Sequence, residues 1–134
     1  MLKIYSDGAV SQQQKLAGMG LLIVGDGLHE QLAFPLPDTL DNHLAELHAF
    51  HEAVKWVVEH DRVNEWTIFH TDSQLVAQSV NKQYIKNEDY QPIFEKICFL
   101  LKQLTLYDVV WIPEKNNRGA DNLAKQAIRA QVKK

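Results

Sequence analysis

The chain has 134 residues, 46% of them hydrophobic, and its 17 acidic against 14 basic side chains give a formal net charge of −3. That size suits one globular core over residues 1–134, and the charge excludes attachment to nucleic acid by bulk positive charge, though not through a local basic face or a metal-bridged contact. No apolar run nears the roughly 20 residues that span a bilayer, and Met1 opens no signal-like segment, so a cytoplasmic location is the default expectation.

Residues 2–6 set Leu2 and Ile4 against Lys3 and Tyr5, a strand expected to end at Asp7-Gly8. After a polar turn at 11–15, residues 16–24 read as a second strand whose start is softened by Gly18 and Gly20. A turn at 25–27 leads into a third strand, 28–34, which Pro35 and Pro37 should stop. Residues 42–60 carry Leu44, Leu47, Phe50, Val54 and Val57 at steps of three and four, one apolar stripe of a helix. A fourth strand at 66–70, helices at 73–80 and 91–104, a fifth strand at 106–112 closed by Pro113, and a last helix at 119–132 complete the chain. Short turns make the first three strands an antiparallel meander. Helical crossovers add the fourth and fifth in parallel. The expected fold is α/β: a mixed five-stranded sheet, three strands antiparallel and two parallel, flanked by helices. Cys98, the single cysteine, lies in the apolar run 97–101 and reads as a core residue rather than a nucleophile.

Four acids recur at element ends. Asp7 follows the first strand, Glu46 lies in the first turns of the first helix, Asp72 follows the fourth strand, and Asp121 opens the last helix. Such ends can converge on one sheet edge, where four carboxylates would repel one another and hold protons unless a cation joined them. Hard oxygen donors suit Mg²⁺ or Mn²⁺, and two such ions about 4 Å apart can activate water and stabilise the leaving oxygen of a phosphodiester. Each acid also has an ordinary explanation: Asp7 a turn residue, Glu46 a first-turn acid at the helix dipole, Asp72 an N-cap, Asp121 an i, i+4 partner of Lys125. Their joint pattern and order carry the argument.

The sequence resembles the type I ribonuclease H family over nearly its whole length, in the manner of its short stand-alone bacterial or archaeal members. The resemblance rests on Tyr5-Ser6-Asp7-Gly8-Ala9 with Ala17-Gly18-Met19-Gly20, on Asn42 through Glu46, on Thr71-Asp72-Ser73-Gln74, and on Asn117 through Ala124. It implies a ribonuclease H-like fold and an endonuclease that cuts the RNA strand of RNA–DNA hybrids, leaving 5′-phosphate and 3′-hydroxyl ends. It also implies two Mg²⁺ or Mn²⁺ ions, with Asp7 bridging both, Asp121 holding the ion that activates water, and Glu46 and Asp72 holding the ion at the leaving 3′-oxygen. Asn42 and Gln74 match minor-groove positions; an amide can both donate to and accept from a ribose 2′-hydroxyl. Ser73 and Arg118 complete the candidate substrate contacts. The hybrid is the expected partner, with no membrane and no obligatory protein partner.

Three departures from the family pattern stand out. Asp41 occupies a position where many members have a Thr that helps hold a DNA phosphate; it also reads as the N-cap of the first helix. The loop 113–118 has no His, where longer members carry one, and Arg118 is either a substitute phosphate ligand or a solvated cation. The basic protrusion of longer members is reduced to Lys82 and Lys86, offset by Glu88 and Asp89. Lys125, Arg129 and Lys133 form an i, i+4 row on the last helix that reads as a solvated face or a backbone-contact stripe. These departures keep open a catalytically weak or inactive nucleic-acid- or protein-binding module on the same fold. His48, His51 and Glu52 share a helix face at zinc-ligand spacing, but the chain lacks His-Glu-x-x-His and no cysteine lies nearby.

Overall fold

The structure, a computed structural model, describes residues 1–36 and 39–132. Five strands, β1 (Leu2–Ser11), β2 (Leu16–Gly25), β3 (Leu28–Leu36), β4 (Thr67–Thr71) and β5 (Tyr107–Trp111), form one sheet in the order β3-β2-β1-β4-β5. β1, β2 and β3 pair antiparallel, and β4 joins β1 and β5 joins β4 in parallel, as the pattern of turns and crossovers requires. The helices are α1 (Asn42–Glu59), α2 (Gln74–Lys82), α3 (Gln91–Leu101) and α4 (Arg118–Gln131), with short 3₁₀ turns at Glu88–Tyr90 and Glu114–Asn116. The third helix ends earlier than its apolar pattern suggests; Lys102 to Leu104 continue in turn geometry, and Leu104 is still buried.

One face of the sheet carries Leu2, Ile4, Leu21, Ile23, Phe69 and Val109, and these pack with Leu47, Phe50, Val54 and Val57 of α1 and with buried residues of α2 and α3. The predicted α1 stripe is thus the core stripe, except that Leu44 is only half-buried. Cys98 is half-buried against the same core, and burial raises its thiol pKa.

Most strand ends lie within one residue of the sequence reading, but two strands run further. β3 continues through Pro35 to Leu36, because β3 is an outer strand with one side free of ladder bonds, where a residue without an N–H is tolerated. Pro37, expected to share in stopping it, lies outside the described residues. β1 does not end at Asp7-Gly8 but runs to Ser11: Gly8 pairs with Met19 in the β1–β2 ladder instead of turning the chain.

The opposite face is covered by α4, whose buried side is mostly small: Ala120, Leu123, Ala124, Ala127 and Ile128. It lies so close to β2 that a Cβ on Gly20 would stand 2.6 Å from the Ala124 nitrogen and collide with the Ala120 carbonyl. The softened start of the second strand is therefore a contact surface for a helix. Gly20→Ala is expected to lower the unfolding free energy by about 3 kcal/mol, the upper part of the usual overpacking range. Denaturant titration measures this; a loss below about 1 kcal/mol would mean that α4 lifts away without penalty.

Candidate active site

The site grows from the point where the parallel ladder stops. Ser6 and Thr71 are the last paired residues of β1 and β4. Asp7 and Asp72 are the next residue on each strand, so register alone makes them neighbours. Asp7 stays within β1, opposite Gly20, and is only 5% exposed. Just past β4 the chain turns into α2. Ser73 accepts from the Val76 N–H at 3.2 Å through its hydroxyl and caps α2, while Trp111 Nε1 donates to the Asp72 carbonyl at 3.0 Å. Ser73, not Asp72, is therefore the N-cap, and the Asp72 carboxylate is left to face the cleft.

Glu46 arrives from α1. Gly8 has no Cβ, which would otherwise stand 2.7 Å from the Glu46 nitrogen, so helix and strand can close together. The Gly8 N–H then donates to Glu46 Oε1 at 2.6 Å. Carboxylate oxygens of Asp7, Glu46 and Asp72 come within 4.8 Å of one another. Asp121 stands alongside in the first turn of α4. Its Oδ2 pairs with Lys125 Nζ at 3.0 Å, so its role as an i, i+4 partner and its place in the cleft coexist.

The cleft has a volume of about 470 Å³. Asn42 and Gln74, the first residues of α1 and α2, line it, as does Ser73. Arg118 begins α4 exposed to solvent and is not part of the lining. His43, Leu75 and Glu114 line the cleft without having been singled out from the sequence. Glu114 belongs to the 3₁₀ turn between β5 and α4, where no periodicity marks it. Lys125 is engaged with Asp121, and Lys133, the end of the proposed basic row, lies outside the described residues.

Asp41 is the N-cap of α1. Its Oδ1 accepts from the N–H groups of His43 (2.8 Å) and Leu44 (3.1 Å), and its Oδ2 accepts from the Tyr90 hydroxyl at 2.7 Å. Burial alone would raise the Asp41 pKa; the Tyr90 and backbone donors outweigh it and bring the pKa below its ordinary value.

The cluster itself moves the other way. Burial, then the neighbouring Glu46 and Asp72 carboxylates, push Asp7 up to about 11. Burial raises Glu46 to about 7 against its hydrogen bonds with Asp7 and Gly8. Burial also raises Asp72, opposed by a hydrogen bond from Asn117. Such a set keeps protons at neutral pH unless a cation replaces them, and an all-carboxylate donor set fits a hard divalent ion. Among the described residues no second set of three potential ligands converges. Glu52 is turned to Lys55 at 3.8 Å, and His51, lowered to about 4 by burial and by His48, Lys55 and Lys96, does not join it in a zinc site.

Comparison with known proteins adds three findings. Residues 5–127 match the family model described as "Reverse transcriptase-like". The Enterococcus faecalis protein named "Putative hydrolase EbsB" is 36% identical over 129 residues, covering 96% of this chain and 95% of that one. Among solved structures, RNase H1 from the halophilic archaeon Halobacterium salinarum NRC-1 superposes with a TM-score of 0.85 at 23% identity, covering 96% of this chain and 98% of that one. LC11-RNase H1 in complex with an RNA/DNA hybrid does so with 0.85 at 24%, covering 97% and 98%. These structural likenesses establish the ribonuclease H fold.

The raised pKa values set a pH dependence. Asp7 and Glu46 ionise near 3.8 and 4.5 when unfolded but toward about 11 and 7 when folded. Their contribution to stability is full below the unfolded values and is lost as pH rises toward the folded ones. In EDTA the melting temperature should fall from pH 5 to pH 8, and Asp7→Asn should flatten that slope. Mg²⁺ or Mn²⁺ should raise the wild-type melting temperature more at pH 8 than at pH 6. Thermal melts across this range test it; identical slopes for wild type and Asp7→Asn would show that the cluster holds no extra proton.

Proposed function

This chain belongs to the reverse transcriptase-like family, and from that premise we propose that it is a ribonuclease H, a metal-dependent endonuclease that cuts the RNA strand of RNA–DNA hybrids. The observation that carries the reading is the convergence of Asp7, Glu46 and Asp72 within 4.8 Å, with Asp121 lining the same cleft. Mg²⁺ or Mn²⁺, two per site, would be held by these four residues and would supply charge stabilisation and an activated water for phosphodiester hydrolysis. The products carry a 5′-phosphate and a 3′-hydroxyl.

The chain's own residues do the positioning. Asn42 and Gln74 flank the carboxylates from two helix starts, and their amides can pair with ribose 2′-hydroxyls, which distinguishes RNA from DNA. Ser73 reaches the cleft while its hydroxyl caps α2. Arg118, exposed at the start of α4, is the residue proposed to reach a phosphate. A second groove of about 660 Å³ shares His43 and Leu75 with the cleft and continues past Gln78, Lys82, Tyr84 and Lys86. Its two lysines suit the backbone of the second strand, a local basic face on an acidic protein. The test is cleavage of a labelled hybrid with Mg²⁺ or Mn²⁺, in which Asp7→Asn should fall to background. Absence of cleavage with either ion, beside a working control enzyme, sinks the reading.

One observation favours a second reading, a module that binds nucleic acid or protein with little cleavage: Asp41 itself fills the N–H donors at the start of α1, where a phosphate would otherwise be favoured. Hybrid binding unaffected by EDTA and by Asp7→Asn would select it. Asp41→Asn keeps an oxygen for the helix cap and removes the charge. In the leading reading it should lower KM about fivefold at low salt, corresponding to roughly 1 kcal/mol of charge effect at a helix terminus, and leave kcat unchanged. Steady-state cleavage of a hybrid measures this; an unchanged KM means that no phosphate approaches Asp41.

A further inference from the structure

We infer that Asn117 is a positioning residue that sets the strength of cation binding by orienting the Asp72 carboxylate; this rests on the metal-dependent reading of the site. Asn117 ends the 3₁₀ turn before α4 and is 1% exposed. Its side chain crosses the sheet edge. Nδ2 donates to the Ser6 carbonyl of β1 at 3.0 Å and to Asp72 Oδ2 at 3.3 Å. Its backbone carbonyl accepts from the Asp121 N–H at 3.1 Å, and its own N–H donates to the Glu114 carbonyl at 2.9 Å. One residue therefore touches the chain just before Asp7, the Asp72 carboxylate, and the helix turn that carries Asp121.

Chemistry settles which way the amide points. Both neighbours of Nδ2 are acceptors, so the exchanged orientation would set an oxygen against a carbonyl and a carboxylate. The cost of the chosen orientation is visible at the other end: Asn117 Oδ1 is buried and accepts no hydrogen bond from the described residues. A buried acceptor without a donor is unfavourable. Retaining the amide there is consistent with its NH₂ group being the functional end. That group offers the Asp72 carboxylate a neutral donor, which fixes one oxygen without bringing a competing positive charge into the cluster. An ammonium or guanidinium in its place would neutralise the charge that draws the cation. Groups that orient a ligating carboxylate typically change metal affinity about 10–100-fold when removed.

The experiment is a double-mutant cycle read by Mn²⁺ titration calorimetry on the folded protein, with no substrate. Asn117→Leu keeps the approximate volume and removes the donor. It should weaken Mn²⁺ binding by about tenfold or more in the wild-type background and by less than about twofold when Asp72 is already Asn, because the orienting contact then has no carboxylate to act on. A packing role would give the same loss in both backgrounds, and that result overturns the inference. So does an unchanged affinity in the single variant. If the leucine variant does not fold by circular dichroism, Asn117→Ser, whose hydroxyl falls short of Asp72, takes its place in the cycle with the same expected and overturning results. Wild-type protein that binds no Mn²⁺ overturns the metal reading itself, a separate outcome from wild-type binding that Asn117 does not influence.

Discussion

Everything at this site follows from carboxylates being forced together at one sheet edge, with Asp7 buried and Glu46, Asp72 and Asp121 half-buried around a cleft. β1 and β4 run parallel and stay paired only to Ser6 and Thr71, so the next residue on each strand is delivered to the same edge. Both of those residues are Asp. The third carboxylate is brought in because Gly8 lets α1 sit directly on the strand, and its N–H fixes one oxygen of Glu46. Burial first, and then the repulsion of neighbouring carboxylates, disfavours full ionisation and raises the pKa values of Asp7, Glu46 and Asp72. The rest of the fold holds the arrangement against this repulsion: α4 clamped on the glycines of β2, and an apolar core on the other face.

Helix caps decide which acids are free to act. Asp41 and Ser73 take up the first N–H groups of α1 and α2, and each stands one residue before a cleft-lining amide, Asn42 and Gln74. Had Asp72 served as the cap of α2, its carboxylate would have been turned to backbone donors and lost to the cluster. At α1 the division of labour is reversed. An acid does the capping, and Tyr90, which lines the second groove, donates its hydroxyl to the remaining oxygen. A formal charge of −3 for the whole chain conceals this local pattern, in which Lys82 and Lys86 line the groove and Asp41 is held by Tyr90 of the same lining.

The same partition explains what could be read from the linear chain. The strand and helix order, the mixed sheet and the core stripe of α1 came from hydrophobic period and turn residues, because periods of two and 3.6 residues are local consequences of backbone geometry. The candidate carboxylates stood out for a related reason: each was read near an element end, and ends on one side of a sheet converge, although Asp7 lies within β1. The persistence of β1 beyond Asp7 and of β3 beyond Pro35 was not legible in this way. Whether a glycine turns or a proline stops depends on which neighbour the strand has at that residue, and the neighbours are fixed by distant segments.

By itself, then, the sequence determined the elements, their order, and the acids able to share a site, since these follow from short-range preferences and from side-chain chemistry. Only the tertiary structure decided that Ser73 rather than Asp72 caps α2, that Asp41 is held by Tyr90 from 49 residues away, and that Asn117 spans 111 residues of chain to reach Ser6. It also left Arg118 in solvent and drew Glu114 into the cleft. The physical reason is common to all of these. A hydrogen bond or a charge interaction depends on separation in space, and between residues far apart in sequence that separation is set by the packing of whole elements, which no local pattern encodes.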